Sequence, residues 1–200
     1  MINYKVIANH NELSTLILHN VSEVGNKAAN LYALGKLAEK LNAMPSVFRV
    51  AVPDFTVATN ATFYDLLQKT EHTEKFITAW RVFQDSFTYQ ESATEPKARR
   101  FITKKLSDTS IAALNNIQTT IRESFSHKLA QAPFSEVQKW LAAQNPPFVI
   151  VRSTGSEDSD ESSNAGGNLS IPFVTPRIDC VLESMCDVLC SYFSEESIKQ

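Results

Sequence analysis

One stretch constrains this chain more than any other. Val149-Ile150-Val151-Arg152-Ser153-Thr154 runs at once into Gly155-Ser156-Glu157-Asp158 and then Ser163-Asn164-Ala165-Gly166-Gly167. An apolar run ends on one arginine, and the loop behind it is almost entirely Ser, Thr, Gly, Asn, Asp and Glu. Phe148 to Val151 reads as a buried strand, and extended structure resumes at Ser170-Ile171-Pro172-Phe173-Val174. A buried strand of this kind delivers a cation to the mouth of a polyanion site. The guanidinium offers a planar fork of donors suited to phosphate oxygens. The small residues behind it let backbone N–H groups close on the same oxygens.

A second cation has a similar setting. Glu23-Val24-Gly25-Asn26 is a turn signal, and from Lys27 the spacing becomes helical. Ala28, Leu31, Leu34, Leu37, Ala38 and Leu41 share one face, and Pro45 marks the far end. Lys27 therefore stands in the first turn of a helix, where the N-terminus is already partly positive. That placement makes sense if an anion draws on both. A surface lysine that snorkels into water is the alternative reading.

The rest of the chain reads as a helix-rich scaffold. Residues 4–8 look like a short strand, and Val47 to Ala58 reads as extended chain. Thr59 or Asn60 caps a helix bearing Phe63, Leu66 and Leu67. From Glu71 to Gln144 the pattern is helical almost throughout, with Phe76, Trp80 and Phe83 on one face. Ile111, Leu114, Ile117, Ile121 and Phe125 form another face after a Ser107 or Asp108 cap. Ser135 with Gln138 has the spacing of a capping box. Pro146-Pro147 stops the helices. Thr175-Pro176 reads as an N-cap with proline at the first helical position, opening a helix that carries Ile178 to Tyr192. A further start is signalled at Ser194-Glu195-Glu196, which raises the expectation of more protein beyond Gln200. The fold class expected is α+β, a small mixed sheet with many flanking helices. One domain spans 1–200, with a helical subregion at about 60–145.

Composition narrows the function classes. A net charge of −3 gives no electrostatic case for nucleic acid or an anionic membrane. No apolar run approaches the roughly 20 residues of a membrane span, and the N-terminus lacks a signal-peptide layout. A cytoplasmic protein is expected. Cys180, Cys186 and Cys190 are odd in number, without CxxC spacing or a nearby His, and read as plain buried thiols. Glu157, Asp158, Asp160 and Glu161 lack the spacing of a calcium loop and read as a solvated turn. No metal ligand is assigned.

Four motifs, in order, resemble the phosphoenolpyruvate synthase and pyruvate phosphate dikinase family. Val24-Gly25-Asn26-Lys27-Ala28-Ala29-Asn30-Leu31 resembles "GGKGANL". Val52 to Ala61 resembles "VPPGFVVTTEA". Val151 to Asp158 resembles "VRSSATAED", and Ser163 to Gly167 resembles "SFAGQ". Ala165 to Val174 is also similar to the equivalent loop of glucan water dikinases. The resemblance implies the N-terminal lobe of an ATP-grasp-like nucleotide-binding domain. It implies that Lys27, Arg152 and Ser170 bind ATP phosphates. A glycine-rich or lid loop would comprise Gly25, Ser153, Thr154, Gly155, Glu157, Asp158, Ala165, Gly166 and Gly167.

The family's chemistry passes a phosphoryl group from ATP to a histidine on a swivelling domain, and then to an acceptor. The implied cofactors are ATP and Mg²⁺, the metal held by a downstream lobe. The implied partners are the nucleotide, that downstream ATP-grasp lobe and the histidine domain. Asn26, Asn164 and Gly167 depart from the motifs, reshaping turn and loop without removing either cation. No catalytic residue is assigned, and this chain by itself is expected to be inactive. The rival reading is a non-catalytic binding or protein-interaction module that keeps the scaffold, with the helical stretch 71–145 as its working surface.

Overall fold

A computed structural model describes residues 6–7, 24–45, 47–86, 106–154, 158–159, 162–163 and 169–199. Among them the chain is α+β, with seven α-helices and three two-stranded antiparallel sheets. Strand β1 (Val6–Ile7) pairs with β2 (Val57–Ala58). Helix α1 spans Asn26–Asn42, α2 Asn60–Lys69, α3 Thr73–Ser86 and α4 Asp108–Ser126. A short 3₁₀ turn (Ala132–Phe134) leads into α5 (Ser135–Gln144). Strand β3 (Val149–Arg152) pairs with β6 (Ser170–Val174), and β4 (Asp158–Ser159) pairs with β5 (Ser162–Ser163). Helices α6 (Ile178–Ser191) and α7 (Glu195–Lys199) close the chain. No helix among the described residues is long and apolar enough to cross a membrane.

Local chemistry sets several boundaries. Ser107 Oγ accepts the N–H of Ser110 and caps α4, as its position predicts. Asn145 adopts the left-handed conformation and ends α5, where its N–H reaches the Leu141 carbonyl. Ser194 Oγ accepts the N–H of Ser197 at the start of α7. Two expected caps are displaced. Ser135 is already helical and Phe134 holds the cap position, because the 3₁₀ turn Ala132–Phe134, which contains Pro133, runs straight into α5. Thr175-Pro176 forms a turn in which Arg177 N–H meets the Thr175 carbonyl, so α6 begins two residues later, after Arg177.

Two apolar clusters carry the fold. One joins Leu67, Phe76, Phe83, Leu114, Ile117, Ile121, Cys186 and Cys190, from α2, α3, α4 and α6. The other joins Leu66, Phe134, Val137, Leu141, Val174 and Leu182, with Val149, Val151 and Ile171 of the β3–β6 hairpin packed on it. The helices thus hold the hairpin's inner face. Among the described residues β3 alternates between half-buried and exposed positions, and so departs from the buried strand that its apolar run predicts. Helix α1 also departs from its apolar pattern. It buries Ala28 and Ala38, while Leu34, Leu37 and Leu41 are exposed.

The thiols lie in this packing. Cys186 and Cys190 are buried and Cys180 is half-buried. The hydrogen bond between Cys186 and Cys190, together with burial, pushes the Cys186 thiol up. A thiol-reactive reagent at neutral pH should modify Cys180 first, with Cys186 protected until the chain unfolds. Mass spectrometry with and without denaturant checks this. Rapid labelling of Cys186 in the folded chain would contradict the packing.

Candidate functional site

The turn before α1 and the end of β3 are stitched together, although well over a hundred residues separate them. Gly25 is the N-cap residue of α1, with φ 75° and ψ 160°, a backbone region populated essentially by glycine alone. It also lies against Thr154. A Cβ on Gly25 would stand 2.5 Å from the carbonyl carbon, carbonyl oxygen and Oγ1 of Thr154. Both the conformation and the approach require a missing side chain.

Thr154 supplies the thread. Its Oγ1 donates to the Val24 carbonyl at 2.8 Å and accepts the Ala28 N–H at 3.2 Å. Ala28 is in the first turn of α1, where N–H groups have no partner within the helix. Gly25 has no side chain to cap them, so the Thr154 hydroxyl caps one from across the chain. Val24, Ala28 and Val57 form a small apolar cluster beneath, flanked by Tyr32 and Phe55. Replacing Thr154 by Val should destabilise the chain by about 1–3 kcal/mol, because it orphans a carbonyl and an N–H. Thr154→Ser should stay close to wild type. Urea unfolding of the two variants checks this, and equal stabilities would contradict the bridge.

The same junction carries the cations. Lys27 Nζ donates to Ser153 Oγ at 3.3 Å, and Ser153 is 2% exposed. Lys27 therefore reaches the residue next to Arg152. Arg152 and Ser170 are directly opposed across the β3–β6 ladder, and both are exposed. Directly opposed residues lie on one face of a sheet, so a guanidinium and a hydroxyl sit side by side on the hairpin's outer surface. No ion pair to Arg152 occurs among the described residues. The positive end of α1 adds its field to that of Lys27. Lys27 and the N-terminus of α1 meet the strand end at buried Ser153, while Arg152 and Ser170 stand on the exposed face one residue away; cations, hydroxyls and helix N–H groups are the donor types that phosphate oxygens accept from.

The loop residues divide. Ser153 and Thr154 are structural parts of the junction. The backbone of Asp158 pairs with Ser163 in the β4–β5 ladder, and β4 lies beside α1. Gly155, Glu157, Ala165, Gly166 and Gly167 lie outside the described residues. Among the described residues no group of three or more His, Cys, Asp or Glu is placed to hold a metal ion. A cavity of about 500 Å³ lies elsewhere, lined by Arg122, His127, Lys128, Asp179, Glu183 and Cys186 among others. Its lining mixes both signs of charge and includes neither Lys27 nor Arg152.

Sequence reasoning missed two features of this surface. The Val24 carbonyl is a partner that no side-chain pattern reveals. Phe173 reads only as part of an extended segment; it is 75% exposed with φ 56°, and its ring stands 5.1 Å from that of Phe148.

No curated protein and no solved structure gives a significant match to the chain. The family model of the pyruvate phosphate dikinase AMP/ATP-binding domain matches residues 21–199, a span that takes in the glycine turn, Lys27, Arg152 and Ser170. With most of its length matched, the chain belongs to the pyruvate phosphate dikinase AMP/ATP-binding domain family.

Proposed function

We propose that the chain is the N-terminal, phosphate-gripping lobe of an ATP-grasp-like nucleotide-binding domain in a dikinase-type phosphotransferase. The observation that carries this reading is the junction itself, where Lys27 bonds Ser153 and Arg152 stands next in the strand. Lys27 and Arg152 hold the phosphates by charge-assisted hydrogen bonds, and Ser170 adds a hydroxyl beside Arg152. Their work is positioning and charge neutralisation, the main protein contribution to phosphoryl transfer. Mg²⁺, bound with the nucleotide, would neutralise charge on the phosphate oxygens, and its protein ligands are assigned to a downstream lobe. That lobe, the histidine-bearing domain that receives the phosphoryl group, and the final acceptor belong to the same proposal.

By itself the 200-residue chain binds ATP without turning it over. Incubation with ATP and Mg²⁺, followed by phosphate release, tests this. Binding without release is the expected result, and sustained turnover would overturn the lobe reading. One observation favours a second reading, a module that binds another protein. Leu34, Leu37, Leu41, Met44, Val47 and Phe48 are all exposed along α1 and the segment after it. Failure of ATP to bind, with the downstream lobe present, would favour that module.

A further inference from the structure

We infer that the exposed apolar face of α1 is where a second copy of this chain docks, antiparallel, about a two-fold axis. The inference gives an occupant to a surface that the nucleotide reading leaves unused, and it stands or falls apart from that reading. Leu34, Leu37, Leu41 and Met44 are spaced by three, four and three residues. That is the a/d pattern of a coiled-coil seam. All four are exposed, Leu37 at 51% and Met44 at 60%, while α1 turns Ala28 and Ala38 inward. The helical path carries the seam to its end, because the Met44 N–H still reaches the Leu41 carbonyl at 3.1 Å.

The chain after the helix is pinned to this face. Asn42 Nδ2 donates to the Val50 carbonyl at 2.7 Å, and its Oδ1 accepts the Val50 N–H at 2.9 Å. Val50 and Val47, the latter 93% exposed, are thereby held near the end of α1. Together the six side chains leave about 600 Å² of apolar surface in water, at the top of what a monomer usually exposes and close to the roughly 800 Å² that each partner buries in a specific interface.

The spacing itself selects a second copy over another partner. Three, four, three reads the same from either end. An antiparallel copy therefore seats Leu34 against Met44 and Leu37 against Leu41, and the two-fold repeats both pairs. An isologous interface requires such a self-complementary patch. The bordering charges are a minor opposition. Lys36 is already paired with Glu39 along the helix at 3.0 Å. Lys40 flanks the middle of the seam, so the two-fold brings it near its own counterpart. These charges stay at the wet rim, where salt screens them, and the leucines hold the centre.

Sedimentation equilibrium on the whole chain, from low micromolar upward and without nucleotide, tests this. Wild type should approach twice the monomer mass, and the dimer should tighten as salt rises, because the facing Lys40 side chains are then screened. Leu37→Glu and Leu41→Glu should each weaken dimerisation by about thirtyfold or more, the scale of losing a central interface anchor. Both positions are exposed, so the circular dichroism of these variants should match wild type. A disulfide fixes the direction. Leu34→Cys combined with Met44→Cys should give a covalent dimer on oxidation, and Leu34→Cys alone should not. Antiparallel packing sets position 34 beside position 44 of the second copy, and about 15 Å from its position 34. Wild type, with its own three thiols, is the control. A monomer at every concentration overturns the inference. So does a dimer that both glutamate variants leave intact, or a covalent dimer formed by Leu34→Cys alone. ATP binding enters none of these readouts, so their failure leaves the phosphate site standing.

Discussion

Gly25→Ala should destabilise the chain by about 3 kcal/mol or more and abolish binding at the proposed phosphate site with it. Two penalties act at once. The φ and ψ of Gly25 lie where a Cβ costs on the order of 1–3 kcal/mol. That same Cβ would stand 2.5 Å from backbone atoms of Thr154, and forcing atoms into a packed contact adds about 1–3 kcal/mol. The colliding atoms are the Thr154 backbone carbonyl and its hydroxyl, the hydroxyl held by hydrogen bonds to the Val24 carbonyl and the Ala28 N–H, not the tip of a flexible side chain. Relief requires the turn and the strand end to separate, which breaks the Lys27–Ser153 and Thr154 hydrogen bonds together. In a domain of this size the melting temperature should drop by roughly 10 °C. Gly35 gives a control of opposite sign. It sits mid-helix in α1 with nothing within 4 Å of where its Cβ would stand, so Gly35→Ala should stabilise by about 0.5–1 kcal/mol. Equal melting temperatures for the two variants would remove the close approach from the account.

The second large effect is on ligand affinity. Lys27 is half-buried and bonded to a buried serine, whereas Arg152 is exposed on the hairpin face. Loss of a hydrogen bond to a charged group costs about 1.5–3 kcal/mol, which is roughly a ten- to hundredfold loss of ATP affinity for either alanine variant. Salt distinguishes them. Screening acts most strongly between exposed charges, so the share of affinity owed to Arg152 should shrink more in high salt than that owed to Lys27. Arg152→Lys should recover part of the loss, since the charge returns without the bidentate fork.

Much of the junction's local geometry was legible because its signals are local. The glycine turn, the first-turn lysine and the apolar strand ending on arginine each occupy a few consecutive residues. Thr59, Ser107 and Ser194 stand at helix starts as expected, the two serines accepting a capping N–H and Thr59 holding the position without a side-chain cap bond. The reading failed where a neighbour preempted the local preference. The 3₁₀ turn Ala132–Phe134 carried Ser135 inside the helix, and the turn at Thr175 held Arg177 in the cap position. It also failed where burial depends on what lies opposite. The leucines of α1 have helical spacing, yet the small cluster at its base takes Val24, Ala28 and Val57 instead. Phe173 was illegible because a bulge, not its residue type, turned it outward. The pairing of Ser153 with Lys27, like Thr154 with Val24 and Ala28, is a long-range contact that spacing cannot encode.

The most direct measurement is a calorimetric double-mutant cycle, titrating ATP with Mg²⁺ into wild type, Lys27→Ala, Arg152→Ala and the double variant. Two cations holding one row of phosphates are energetically coupled, so each single variant should bind at least tenfold more weakly and the double should lose less than the sum. Wild-type affinity in both single variants would contradict the account.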